Sequence, residues 1–290
     1  MSAKALSDRM RAYCGGFCFG GQTKVCSPFS VLQFLDEKDS QNFWFETGTS
    51  QSLAQYLGDR KLTAEQFQVL PVTQDFARNP GEPDPASPES FLYKSGCLSL
   101  RPGGSPDDFT LDYPSREVLE SMSRLLLSSF FGGEPETAAA VKTLNRSLAG
   151  GQAGGVIRKI NKLLARIPFD DYSRASREKL ESLHPGINFD EWLCRSLIYS
   201  FLNGAGLDVQ AGLRTHYGRS GLVVTHGGRG WVMEIKIFRE GRGETAAKNA
   251  FDRILKNGYA APYTSPVLLG TAVSDRKKAV TAWKSETGKD

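Results

Sequence analysis

At 290 residues, 40% apolar and 10% aromatic, the chain can hold one large domain or two ordinary ones around a real core, which excludes a disordered or low-complexity protein. No apolar run approaches the ~18 residues of a membrane helix, and MSAKALSDRMRAY lacks the apolar stretch of a signal peptide. The expected setting is therefore cytoplasmic, or delivery without a cleaved signal, with no membrane partner. The net charge of +4 hides an asymmetry: residues 151–290 carry 22 Lys and Arg against 14 Asp and Glu, and residues 1–150 carry 14 against 18. A basic C-terminal half fits a polyanionic partner and, equally, an ordinary solvated surface.

In chain order, residues 11–27, RAYCGGFCFGGQTKVCS, alternate aromatics with glycines and read as a short hairpin. Pro28 opens a helix, PFSVLQFLDE. NFWFETGTSQSLAQYLGD reads as an extended piece and then a helix started by Thr47, Thr49 or Ser50. The prolines of residues 77–90 require an exposed loop. FLYKSGCLSLRPGGSPDDFTLDYP reads as a β-hairpin turning at Gly103 and Gly104. SREVLESMSRLLLSSFF places Val118, Met122, Leu125 and Leu126 on one helical stripe, and two more helices surround GGQAGG, the second ending at Pro168.

The polar stretch PFDDYSRASREK marks a domain boundary near residue 170. Beyond it, FDEWLCRSLIYSFL is an amphipathic helix stopped by Gly204 and Gly206. LDVQ, the region LRTHYGRSGLVVT and WVMEIKIF supply three strands. TAAKNAFDRILKNGY is a helix with Ala247, Ala250, Phe251 and Ile254 facing inward and Gly258 as its stop, and VLLGTAV is a fully apolar strand. The order predicts α+β or α/β architecture: a mostly helical N-terminal domain with short hairpins over 1–170, then a mixed sheet flanked by helices over 171–290.

Cys14, Cys18, Cys26, Cys97 and Cys194 form no C-x-x-C pair and read as buried or half-buried free thiols. GGFCFGGQTK has the wrong spacing for a phosphate-cradling loop. Glu234 and Lys236, at i and i+2 on one strand, project from the same face, while Met233, Ile235 and Ile237 line the other. A carboxylate beside an ammonium is what metal-dependent phosphodiester hydrolysis needs. The carboxylate holds Mg²⁺, the metal polarises the phosphoryl oxygen and activates water, and the lysine offsets developing charge.

The chain resembles the AAA-ATPase-like proteins that end in a PD-(D/E)XK nuclease domain. YCGGFCF, CSPFSVLQFL, FWFETGTS, FLYKSGCLSL and LDYPSREVLESM carry the likeness in the N-terminal half. IPFDDY, EWLCRSLIYSFLNGAGLDV, YGRSGLVV, WVMEIKIF and KNGYAAPY carry it onward. The resemblance implies that residues 1–170 are the C-terminal part of an AAA-ATPase-like region without its P-loop, and that 171–290 are a restriction-endonuclease-like α-β-β-β-α-β domain. It implies Mg²⁺ or Mn²⁺ as cofactor and DNA or RNA as substrate; without a P-loop no use of ATP is expected, and the N-terminal domain is open to regulating, docking a protein partner or serving as scaffold. Glu234, Lys236 and Glu191 would be catalytic, Glu234 and Glu191 the metal ligands, and Arg219, Arg253 and Arg195 the substrate contacts.

Departures from the pattern matter as much. Gly221 stands where the metal-binding aspartate belongs, Arg195 near a histidine position, and Arg253 and Asn257 where a glutamine and a lysine are usual. With Glu234 as the remaining strand carboxylate, Mg²⁺ is expected to bind weakly or not at all. Glu191 or Asp208 are the candidate replacements, and Gly221→Asp is the expected repair. Two readings stand: a nuclease impaired by Gly221, or a pseudonuclease that binds nucleic acid or protein without cutting. His216, His226 and Tyr259 read as solvated, solvated and core, and Trp192, Trp231 and Trp283 as packing residues.

Overall fold

The computed structural model describes residues 3–18, 23–37, 53, 55–57, 60, 62–81, 87–103, 105, 108–131, 134–167, 169, 188–212, 214–215, 218–219, 221–239 and 241–288. It divides into two compact units, residues 1–126 and 127–290.

In the first unit, α1 (Ala3–Cys14) leads into β1 (Gly15–Phe17), which pairs antiparallel with β2 (Val25–Cys26). This is the hairpin expected over 11–27. α2 (Pro28–Glu37) starts at Pro28, as the sequence requires. A 3-10 turn (Glu65–Phe67) precedes β3 (Leu70–Val72). The expected 77–90 loop is helical at both ends. α3 (Gln74–Arg78) is capped by the Thr73 hydroxyl, which accepts from the Phe76 amide, and α4 (Pro88–Lys94) is capped by Ser87. FLYK therefore belongs to a helix, and the hairpin begins later as β4 (Ser99–Pro102) and β5 (Phe109–Asp112). These pair antiparallel, with β3 added on the far side of β5. α5 (Arg116–Phe131) follows, with Val118 and Met122 fully buried. The expected helix of residues 47–58 lies largely outside the described residues.

The units divide within α5, at Leu126/Leu127, rather than near residue 170. The physical reason is that α6 (Glu134–Ala149) and α7 (Ala153–Leu164) pack with the C-terminal sheet. α8 (Phe189–Gly204) comes next. Asn188 caps it by accepting from the Glu191 amide at 3.1 Å. The expected stripe of Leu193, Leu197 and Phe201 is buried, but so are Ser196, Tyr199, Ser200 and Asn203. The helix is thus enclosed on all sides over most of its length instead of showing one wet face.

β6 (Asp208–Ala211), a small β7–β8 hairpin (Arg214–Thr215 with Gly218–Arg219), β9 (Leu222–His226) and β10 (Arg229–Phe238) follow. After them come α9 (Gly243–Lys256), β11 (Val267–Ser274) and β12 (Ala279–Thr287). The five-stranded sheet runs β12-β11-β10-β9-β6. β10 and β11 are parallel, joined through α9, and the other neighbours are antiparallel. This is a mixed α/β sheet, as the element order implied. β9 and β10 turn through Gly227 (φ 58°) and Gly228 (φ 78°), two left-handed residues of the kind a tight two-residue hairpin demands.

Val223, Val232 and Leu268 form a core with Phe251, Ile254 and Tyr259, so α9 covers that face of the sheet. Trp231, Met233, Ile235 and Leu269 are buried on the opposite face, which is left to α7 and α8. Every residue of β11 is buried. β12, an edge strand exposed over most of its length, had no clear signal in the sequence.

Candidate functional site

Glu234 and Lys236 occupy successive same-side positions in the middle of β10, on the face covered by α9. Ladder register fixes what surrounds them. Met233 pairs with Leu222 on β9, so Gly221, next in line, stands beside Glu234. On the other side Glu234 pairs with Gly270 of β11, and Gly270 pairs with Lys284 of β12. The row across the sheet therefore reads Gly221, Glu234, Gly270, Lys284.

A glycine on each side of Glu234 has a different consequence. A Cβ on Gly270 would sit 2.6 Å from the Ala247 carbonyl oxygen and 2.8 Å from Phe251 Cα, so its bare backbone is what admits α9 to the sheet. That close approach brings Arg253 to Glu234, Nη1 to Oε1 at 3.2 Å. A Cβ on Gly221 would run into the Met233 carbonyl oxygen and lie 3.1 Å from Glu234 Oε2. The backbone has closed into the space an aspartate would need. The ligand expected from Gly221→Asp therefore meets a steric obstacle.

Glu234 is only 4% exposed. Burial pushes its carboxyl above the ordinary glutamate range. Arg253 first, then Lys236 and the Gly221 peptide N–H pull it back, while Glu191 pushes the same way as burial. The Gly221 amide favours the ionised form by proximity, but it does not reach hydrogen-bond geometry at Oε2, which is buried and has no hydrogen-bond partner. A buried charged oxygen without a donor is costly.

Lys236 Nζ donates to Glu191 Oε1 at 2.8 Å, with the two side chains 29% and 27% exposed. Glu191 comes from the first turn of α8, beyond the Asn188 cap, so two covering helices each send one charged group to β10. The result is a chain of alternating charge: Glu191, Lys236, Glu234, Arg253.

The sequence-derived set is thus brought together in part. Glu234, Lys236, Glu191 and Arg253 converge. Arg253 pairs with Glu234, its side chain 40% exposed. Arg195 lies one turn beyond Glu191 on α8, half-buried. Arg219 falls in β8 and its side chain lies outside the described residues, as does His216. Asp208, the other acid considered, does not converge with Glu234. It pairs with Thr225, which pairs with Gly230, four residues from Glu234 and so about 13 Å along the strand.

Among the described residues no group of three or more His, Cys, Asp or Glu converges as a metal site. With Oε1 of Glu234 held by Arg253 and Glu191 held by Lys236, the donor set fits Mg²⁺ poorly. All five cysteines are free; four are buried and Cys26 is half-buried.

His226 is half-exposed at the β9–β10 turn, and Tyr259 is buried, its hydroxyl 2.6 Å from Asn257 Nδ2. Trp231 is fully buried, as expected of a packing residue, but Trp283 is 46% exposed. Sequence reasoning missed Gly270. The glycine inside VLLGTAV was the available signal, since a strand-interior glycine marks a close backbone approach.

No family model matches the chain, and no solved structure matches it. The chain is similar to a curated protein of Azotobacter chroococcum mcd 1, described as "Uncharacterized protein in vnfD 5'region", with 26% identity over 291 aligned positions covering 97% of the chain. The chain spans about half, 52%, of that relative's length.

Proposed function

We propose that residues 127–290 are a restriction-endonuclease-like module of PD-(D/E)XK type that binds nucleic acid without hydrolysing it. The observation that carries this reading is the state of Glu234. The carboxylate sits on the third long strand of the sheet beside Lys236, where a metal-dependent nuclease would need it. Yet Oε1 is taken by Arg253 and the position alongside is a glycine whose backbone leaves no room for a second acid. A divalent cation would have to displace an arginine and a lysine to collect two carboxylates. Both carboxylates are already held by cations, which leaves metal-assisted cutting without free acidic ligands. The N-terminal unit, on this reading, is part of an AAA-ATPase-like region that docks a protein partner.

The test is incubation of the purified chain with plasmid, single-stranded DNA and RNA in Mg²⁺ and in Mn²⁺, alongside a binding assay in chelator. Salt-sensitive binding without cleavage is expected. Metal-dependent cleavage that disappears in Lys236→Ala would restore the nuclease reading and overturn this one.

A further inference from the structure

We propose that the exposed ridge of α7, with Trp283 of β12 beside it, is a track for single-stranded nucleic acid. This rests on the reading of the second unit as a nucleic-acid-binding module and names the form of nucleic acid and the surface that takes it.

The ridge begins in the sequence. Residues 137–169 contain six Lys and Arg and no Asp or Glu. A merely solvated helix face usually interleaves both signs at four-residue spacing, and this one does not. Arg158, Lys162 and Arg166 recur every four residues and are all exposed. Arg158 and Lys162 stand about 6 Å apart along the helix axis, and Arg166 follows just past the end of α7. α7 is fastened to the sheet edge by Asn161, whose side-chain amide donates to the Val280 carbonyl at 2.9 Å and accepts from the Val280 amide at 2.8 Å. The cations are therefore held at a fixed place against β12.

Trp283 supplies the second, independent element. It projects beside Gly154 at the start of α7. A Cβ on Gly154 would lie 3.9 Å from Trp283 Cζ2 and 3.8 Å from Arg158 Nη1. Indole and guanidinium thus approach the same bare stretch of helix, with the ring nearly half exposed. An exposed indole next to a row of cations offers a stacking face for a base while the cations hold the flanking phosphates. A duplex keeps its bases stacked on each other and cannot use the indole in this way.

The row of cations also continues past α7. The β11–β12 turn adds Lys277, exposed, and Lys278, whose charge is felt at the Cys194 thiol of α8. That turn is tied to the end of β10, where the Asp275 amide donates to the Phe238 carbonyl at 3.1 Å, two residues beyond Lys236. A strand lying along α7 would reach the end of β10 by way of this turn.

The experiment is fluorescence anisotropy of a labelled oligo(dT) of about 20 nucleotides, longer than a single-fold site, titrated with the full chain in chelator at stepped salt. Arg158→Gln with Lys162→Gln is expected to weaken binding about tenfold or more and to flatten the log–log salt dependence by roughly 1.4, about 0.7 for each lost phosphate contact. Trp283→Ala is expected to cost at least about fivefold, with Trp283→Phe recovering most of it. Wild-type affinity and salt slope in the double variant would overturn the proposal, as would an unaffected Trp283→Ala. Equal affinity for a duplex of the same length, or no binding of the oligonucleotide at all, would also sink it. Cleavage in Mn²⁺ would instead overturn the non-hydrolysing reading and leave the track standing.

Discussion

The β9 side and the β11 side of Glu234 make an instructive pair, because each presents a glycine to the same carboxylate. Gly270 is bare so that a helix can approach, and the helix delivers a cation. Gly221 is bare on the other side, and the Met233 carbonyl occupies the space that a side chain there would need. One glycine adds a positive neighbour and the other withholds a negative one. Both glycines leave Glu234 without an acidic neighbour in its row across the sheet.

Gly270→Ala should break the first half of that comparison most severely. The new methyl would meet main-chain atoms of Ala247 and Phe251, which cannot rotate away, so α9 must lift from the sheet. A loss of about 3 kcal/mol or more is expected, at the upper end of over-packing costs, read by chemical denaturation. A loss below about 1 kcal/mol would mean that α9 is not seated as closely as the register implies.

Gly221→Ala addresses the second half and should cost about 2 kcal/mol, because the obstructing atom is the Met233 carbonyl of β10 and Gly221 stands just before β9, where the chain can yield. Gly221→Asp should be no better, and millimolar Mg²⁺ should not raise its melting temperature above that of Gly221→Ala. A clear Mg²⁺-dependent stabilisation of the aspartate variant alone would show that the space can reopen and that the metal site survives in latent form.

Much of this arrangement was legible in the sequence, and what was not had physical reasons. The period of two in WVMEIKIF gave the face shared by Glu234 and Lys236. The apolar spacing of the following helix gave Ala247, Ala250, Phe251 and Ile254, all buried. β3 escaped notice because LPV is too short to show alternation and contains a proline. β12 escaped because an exposed edge strand has no apolar period to read, and Thr281 adds a bulge, since Ala282 and Val280 pair with consecutive residues of β11. The Arg253–Glu234 contact was out of reach for a different reason. It depends on how closely α9 crosses the sheet, which Gly270 sets from a strand later in the chain.

Glu234→Gln isolates the charge from the scaffold that surrounds it. Since burial raises this carboxyl's pKa in the folded chain, the folded state holds its proton more tightly than the unfolded one. The stability so contributed is complete below the ordinary glutamate range and is lost as pH rises through the raised folded value. The glutamine variant should therefore be more stable than wild type at neutral and alkaline pH, by about 1 kcal/mol for relief of a buried acceptor with no donor. The advantage should shrink toward acid pH. Arg253, 40% exposed on its side chain, can turn to water when its partner is neutralised. Thermal melts across pH decide the matter, and a glutamine variant that is less stable at neutral pH would mean the ion pair outweighs the cost of burial.

The smallest effect belongs to the pair that most resembles working chemistry. Lys236 and Glu191 are close, at 2.8 Å, but more than a quarter exposed on each side chain, so water screens them and side-chain entropy opposes them. A double-mutant cycle with Lys236→Met and Glu191→Gln should give a coupling of about 0.5 kcal/mol, falling with added salt. The contrast with Glu234 is the point of the measurement. If Lys236 is held chiefly for nucleic acid, its removal should weaken oligonucleotide binding in chelator far more than it weakens the fold. A coupling of about 2 kcal/mol or more with binding unchanged would make the pair a structural clamp, and the site would lose its claim to contact phosphate through this lysine.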